Sequence, residues 1–160
     1  MYITRYTDYS LRVLMYVALQ GEEISTIREI AERYGISRNH LMKVVQELNN
    51  KGYLNAVRGK NGGLRLNRPA TEINIGALVR ETEQSQPLVE CFSNTNQCVI
   101  SPACQLKFAL AAALEAFFTT LDNYSLADLL PNNRQSQLIE LLQIGNSVAE
   151  EVPAAEHCAD

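Results

Sequence analysis

The chain has no tryptophan, only two histidines and no long uncharged apolar run. A helical membrane span needs ~18 such residues, so none is expected. No two cysteines are separated by the two to four residues that structural zinc sites favour. There is no Gly-x-Ser-x-Gly elbow and no His-Glu-x-x-His, and the Gly59–Gly63 glycines precede a strand rather than open a helix. An enzyme is therefore not expected. The stretch Met1-Tyr2-Ile3-Thr4-Arg5, running on to Asp8 and Arg12, lacks the apolar core of a secretion signal, and a cytoplasmic location follows as the expectation. There Cys91, Cys98, Cys104 and Cys158 are expected as thiols, metal ligands or redox sensors rather than disulfides.

What is present is ordinary globular composition, 46% hydrophobic and 20% charged over 160 residues, enough for about one domain. The charge is unevenly placed. Residues 1–69 hold 11 Lys and Arg against 6 Asp and Glu, while residues 70–160 hold 3 against 12. The balances of +5 and −9 make up the net −4. A basic amino-terminal half on an acidic protein marks that half as a candidate for nucleic acid, the plainer reading being a solvated charged face.

Periodicity predicts a first helix from about Asp8 to Leu19, capped by Thr7. A second opens at Thr26, with Glu29 completing a capping box, and stops at Gly35. A third, capped by Ser37, runs to about Asn50 with Leu41, Val44, Val45 and Leu48 as its apolar stripe. This is the helix-turn-helix layout. The period then changes to two. Tyr53–Arg58 and Leu64–Arg68 read as strands flanking a basic, glycine-rich tip, a wing. The expected fold is mainly α: a winged helix-turn-helix over 1–69 and a connecting helix within 70–83.

A cysteine-bearing loop is expected over 84–104, long enough to be functional or disordered. A helix capped by Ser101 with Pro102 in its first turn is expected next, apolar on nearly every side to Leu121. So apolar a rod is expected to pack on its own copy in a homodimer; cover by neighbouring helices of the same chain is the alternative. With a short helix opened by the Ser125–Asp128 capping box, it makes up 101–130. Residues 131–160 are expected as a C-terminal helix and a mobile acidic tail.

Cys91-x6-Cys98-x5-Cys104 places three soft ligands on an irregular loop. Wide spacing on a flexible loop suits an iron–sulfur cluster; a zinc site and a thiol switch or inert thiols remain the alternatives. For DNA, Ser37, Arg38, Asn39 and His40 lie where a recognition helix meets the major groove, with Lys43 one turn on. In the wing, Arg58, Lys60, Asn61, Gly62 and Arg65 form a tip suited to the minor groove or the phosphate backbone. Asp8 reads, on its own, as a first-turn acid favoured by the helix dipole.

The segments Tyr6–Arg12, Gly35–Leu41, Val57–Gly63, Ser101–Cys104 and Leu121–Leu129 together resemble the winged-helix family of iron–sulfur regulators, and within it the nitric-oxide-sensing repressors. The resemblance covers roughly residues 1–130. It implies a homodimeric repressor of a palindromic operator, carrying one [4Fe-4S] cluster per subunit. Cys91, Cys98 and Cys104 match the family's cluster ligands, and Asp8 matches an aspartate donated as fourth ligand by the other subunit. It further implies that nitric oxide attacks the cluster and releases the operator. A second branch, regulating cluster assembly, uses a histidine three residues after the last cysteine; Lys107 stands there instead. The first cysteine spacing is also one residue longer than in that branch. His157 and Cys158 match nothing in the family. A small iron–sulfur electron carrier and a zinc-stabilised DNA-binding protein without sensing are the other readings, the first disfavoured by the winged basic half.

Overall fold

The computed structural model describes residues 3–57, 59, 62–83 and 87–145. The wing residues Arg58, Lys60 and Asn61, the first residues of the cysteine loop and the acidic tail with His157 and Cys158 lie outside them. The described residues form six α-helices and one antiparallel two-stranded sheet, the winged helix-turn-helix expected from the sequence. No helix among them is long and apolar enough to cross a membrane.

The head consists of α1 (Arg5–Gln20), α2 (Ile27–Tyr34), α3 (Arg38–Asn50), β1 (Leu54–Val57) and β2 (Gly63–Leu66). Leu14 of α1, Ile30 of α2, Leu41 and Leu48 of α3, and Leu54 and Leu64 of the wing close one core. The α2 capping box is complete, with Thr26 and Glu29 each accepting or donating across the helix start. Gly35 in the left-handed region then reverses the chain into α3. The hairpin pairs Leu54 with Leu66 and Val57 with Gly63. A third short segment joins it, since Ser25 and Leu64 exchange both backbone hydrogen bonds, at 3.1 and 2.7 Å. A Cβ at Gly63 would lie 2.5 Å from the Ser25 carbonyl oxygen, so this close approach requires glycine.

Helix α1 begins earlier than its periodicity predicts. Thr4, not Thr7, is its cap, its hydroxyl accepting from the Thr7 amide at 3.3 Å. Thr7 is fully buried, and its hydroxyl instead lies 2.9 Å from that of Thr82 of α4 (Ile75–Glu83). Ser37 does stand at the start of α3, but its side chain makes no capping hydrogen bond. Ser101–Ala103 form a separate 3-10 turn rather than the start of the long helix. Cys104 is extended there (φ −80°, ψ 108°), so α5 runs from Gln105 to Asp122. The Ser125–Asp128 box is present, with two bonds of 2.8 and 2.6 Å into the Asp128 carboxylate, yet it opens only a 3-10 turn over Ala127–Leu129. Helix α6 (Asn132–Leu141) follows Pro131.

The end of α5 is fastened to the start of α4. The Ile75 amide donates to the Tyr124 carbonyl at 2.9 Å, and the Leu126 amide to that of Ile73 at 2.8 Å. Asn74 donates to the Asp122 carbonyl at 2.7 Å, while Arg80 grips the Asp122 carboxylate with both terminal nitrogens and lies 4.8 Å from the Phe118 ring centroid. This pairing holds the Asp122 carboxyl below its ordinary pKa. A Cβ at Gly76 would sit 2.8 Å from the Asp122 backbone nitrogen, a contact that rigid backbone cannot relieve cheaply. Gly76→Ala is expected to destabilise the fold by about 1–3 kcal/mol through overpacking, read from the urea unfolding midpoint. An unchanged midpoint would show that the α4–α5 junction has slack.

Candidate DNA-binding face and cysteine loop

Helix α3 buries Leu41, Val44, Val45 and Leu48, and that fixes which side faces out. Ser37, Arg38, Asn39, His40 and Lys43 are all exposed on the outward face or its edges. Met42, at 50% exposure, and Gln46 share that side; a helix periodicity read only for its core gives neither a role. The rotation of α3 is fixed from the wing as well. Asn49 Oδ1 accepts from the Ala56 amide of β1 at 3.1 Å, beside the anchor of the Leu48 stripe in the core. Arg65 is exposed on β2 opposite Asn55, and Gly62 donates its amide to the Gly59 carbonyl at 3.0 Å. Arg68 is occupied differently, bonding the Gly52 carbonyl at 3.1 and 3.3 Å with its guanidinium 5.0 Å from the Tyr53 ring centroid. Burial, the largest influence on that ring's hydroxyl, pushes the Tyr53 pKa up to about 12.

Asp8 lies in the first turn of α1, half exposed and gripped by Arg12 in its own chain. Nε donates to Oδ1 at 3.0 Å, and Nη2 approaches Oδ2 at 2.9 Å. The Arg12 guanidinium stands 5.7 Å from the ring centroid of Tyr34, the last residue of α2 before the Gly35 turn. Glu83, which the sequence does not flag, joins this end of α1 to the end of α4. Its Oε1 accepts from the Thr4 amide at 2.8 Å, from the Thr4 hydroxyl at 2.9 Å and from the Thr7 hydroxyl. The partners are 76 to 79 residues apart, so no local spacing signals the contact.

The three loop cysteines are free thiols. Cys91 is half-buried in a 3-10 turn over Glu90–Phe92, Cys98 is exposed, and Cys104 is half-buried at the residue preceding α5. The loop folds largely on itself. Glu90 accepts from the Gln97 amide at 2.9 Å, Asn96 accepts from the Cys98 amide at 3.0 Å, and Asn96 donates to Ser101 at 2.8 Å. Among the described residues, no three His, Cys, Asp or Glu side chains converge closely enough to hold a metal ion. The single chain thus places three thiols on one loop but brings neither all of them together nor Asp8 to them. The donor set itself suits a soft-metal centre: three unpaired thiols on one irregular segment.

No residue of α5 is buried over its 18 positions. Leu106 and Phe108 are 64% and 60% exposed, next to Val99 and Ile100 on the loop, which are more exposed still.

The family described as "Rrf2: Iron-dependent Transcriptional regulator" matches residues 3–132. The HTH-type transcriptional regulator NsrR of Geobacillus kaustophilus is 53% identical over 132 residues, 81% of this chain and 90% of that protein. That of Bacillus subtilis is 49% identical over 146 residues, 90% of this chain and 99% of the relative. Among solved structures, the oxidized form of Staphylococcus aureus CymR is 27% identical with a TM-score of 0.64, over 81% of this chain and 95% of that one. T. potens IscR, at 24% identity and a TM-score of 0.68 over 86% and 91%, shares the fold. The resemblance read from the sequence is borne out, as is the expectation of a transcriptional regulator rather than an enzyme. With that match from residue 3 to residue 132, the chain belongs to the Rrf2 family of iron-dependent transcriptional regulators.

Proposed function

We propose that this regulator is a homodimeric repressor whose hold on a palindromic operator depends on a [4Fe-4S] cluster and ends when nitric oxide reaches it. The observation that carries this reading is the position of three free thiols immediately before a long helix that buries none of its own residues. Such a helix needs a partner surface, and a second copy supplies a complementary one by symmetry. The names of the relatives support a transcriptional regulator, and the nitric-oxide branch rests on the sequence resemblance over residues 1–130. Cys91, Cys98 and Cys104 hold the cluster in this reading, with Asp8 of the other subunit as fourth ligand. When bound, the cluster supplies iron that reacts with nitric oxide.

The chain's own residues provide the coupling. Asp8 is exposed enough to leave Arg12 for a neighbouring subunit and to return when that contact is lost. Arg12 lies over Tyr34, whose backbone runs directly into the turn that aims α3. A change of partner at Asp8 therefore acts at the helix-turn-helix itself. In a dimer the two α3 helices must meet successive major grooves, about 34 Å apart, so a small reorientation of one head weakens binding.

Three outcomes test the reading. Replacing Cys91, Cys98 or Cys104 singly with Ala is expected to abolish iron and sulfide content after anaerobic purification, whereas Cys158→Ala leaves it intact. Full cluster content in any of the three loop variants removes that cysteine as a ligand. Asp8→Ala is expected to keep the fold, since its helix-dipole and ion-pair contributions are at most about 1 kcal/mol. It is expected to keep a cluster with a shifted absorption spectrum and weakened operator response; an unshifted spectrum takes Asp8 out of the ligand set. Asn39→Ala is expected to cost about 1–3 kcal/mol and relax base preference, while Lys60→Ala weakens all duplexes alike and flattens the salt dependence. Operator selectivity retained in Asn39→Ala would move base reading away from α3.

A further inference from the structure

Successive residues of a helix are turned by about 100°, so the outward side of α3 has a definite order. Asn39, Lys43 and Gln46 lie near its middle, opposite the buried Leu41, Val44, Val45 and Leu48. Met42 lies on one flank with Arg38, half exposed, and is the one large apolar side chain of α3 outside the core. It cannot roll inward, because four buried residues and the Asn49–Ala56 hydrogen bond hold the helix in its rotation. All its exposed neighbours on this face carry groups that hydrogen-bond bases or phosphates. A thioether does neither.

The major groove offers an apolar target at one place, the C5-methyl group of thymine. An unbranched, polarisable side chain can follow that methyl without a demanding rotamer. Gln46, one turn further along, carries an amide able to pair bidentately with adenine. Resting on the reading of α3 as the DNA-recognition helix, we infer that Met42 contacts a thymine methyl in each half-site, making it a specificity-determining residue beside the polar base readers. The preference it confers is for thymine over any pyrimidine lacking the methyl.

The test separates this contact from DNA binding itself. The full-length chain, purified without oxygen, is used to select binding sites from random duplexes. Each thymine of the selected site is then replaced singly by deoxyuridine, which removes only the methyl, and affinity is measured by fluorescence anisotropy. At one thymine per half-site the replacement is expected to weaken binding about fourfold, the worth of one buried methyl. Met42→Ala is expected to bind the thymine and uracil duplexes equally, and Met42→Leu to retain the preference. A uracil effect that persists undiminished in Met42→Ala, or is absent from every position with the unaltered chain, overturns the role of Met42 and leaves DNA recognition by α3 standing. If the unaltered chain enriches no sequence, the operator-binding reading falls and this inference with it.

Discussion

Helix α4 is held at both ends, and the rest of the arrangement depends on that. At its start Asn74 and Ile75 bond Asp122 and Tyr124 at the far end of α5, Gly76 lets the Asp122 backbone approach, and Arg80 one turn on grips the Asp122 carboxylate. At its finish, Glu83 accepts three hydrogen bonds from Thr4 and Thr7, fixing the first turn of α1. The cysteine loop leaves from this second end and returns to α5. A nine-residue helix therefore sets where the reading head, the loop and the long helix stand relative to one another. Several hydrogen bonds at each end, two between Arg80 and Asp122 and three onto the Glu83 carboxylate, make a joint stiffer than the ~1 kcal/mol of a single neutral bond.

That stiffness gives the exposed face of α5 its significance. Helix α5 touches its own chain mainly along α4, leaving Leu106, Phe108 and the adjoining Val99 and Ile100 open. In a symmetric pair, any two copies joined through α5 would present their heads at a separation fixed by the α4 joint. Operator spacing is then a property of the subunit rather than of flexible linkage. The cysteine loop carries Val99 and Ile100 to the edge of this open face.

Local signals were legible where the physics is local. The Thr26–Glu29 and Ser125–Asp128 boxes are both formed, because a capping box needs nothing beyond four consecutive residues. The core stripe of α3 and the wing followed from periods of 3.6 and 2. Thr7 was misread as a cap for the opposite reason. Its hydroxyl is committed to Thr82 and Glu83, and only the tertiary fold brings those residues to it. Ser101 and Pro102 are good helix-starting residues, yet extended Cys104 interrupts the helix they would have begun. The candidate cysteine site is half legible on the same grounds. Residue chemistry marks the three thiols, while among the described residues the single chain gathers no set of three metal-ligating side chains that a spacing could be checked against.

The charge distribution requires a similar distinction between residue type and position. Eight Lys and Arg between Arg33 and Arg68, against Glu47 alone, overstate the cations available to DNA. Arg68 is occupied at Gly52 and Tyr53, Arg33 reaches Gln143 beyond α6, and Lys51 stands 3.9 Å from Glu81. Among the described residues, Arg38, Lys43 and Arg65 are the exposed cations on α3 and β2. Each phosphate neutralised contributes about −0.9 to the slope of log affinity against log salt. The slope therefore follows the cations presented by the head, not the formal +5 of its sequence. The acidic balance of residues 70–160 acts only weakly at distances beyond a Debye length of about 8 Å, so an acidic chain can carry a basic DNA-reading surface.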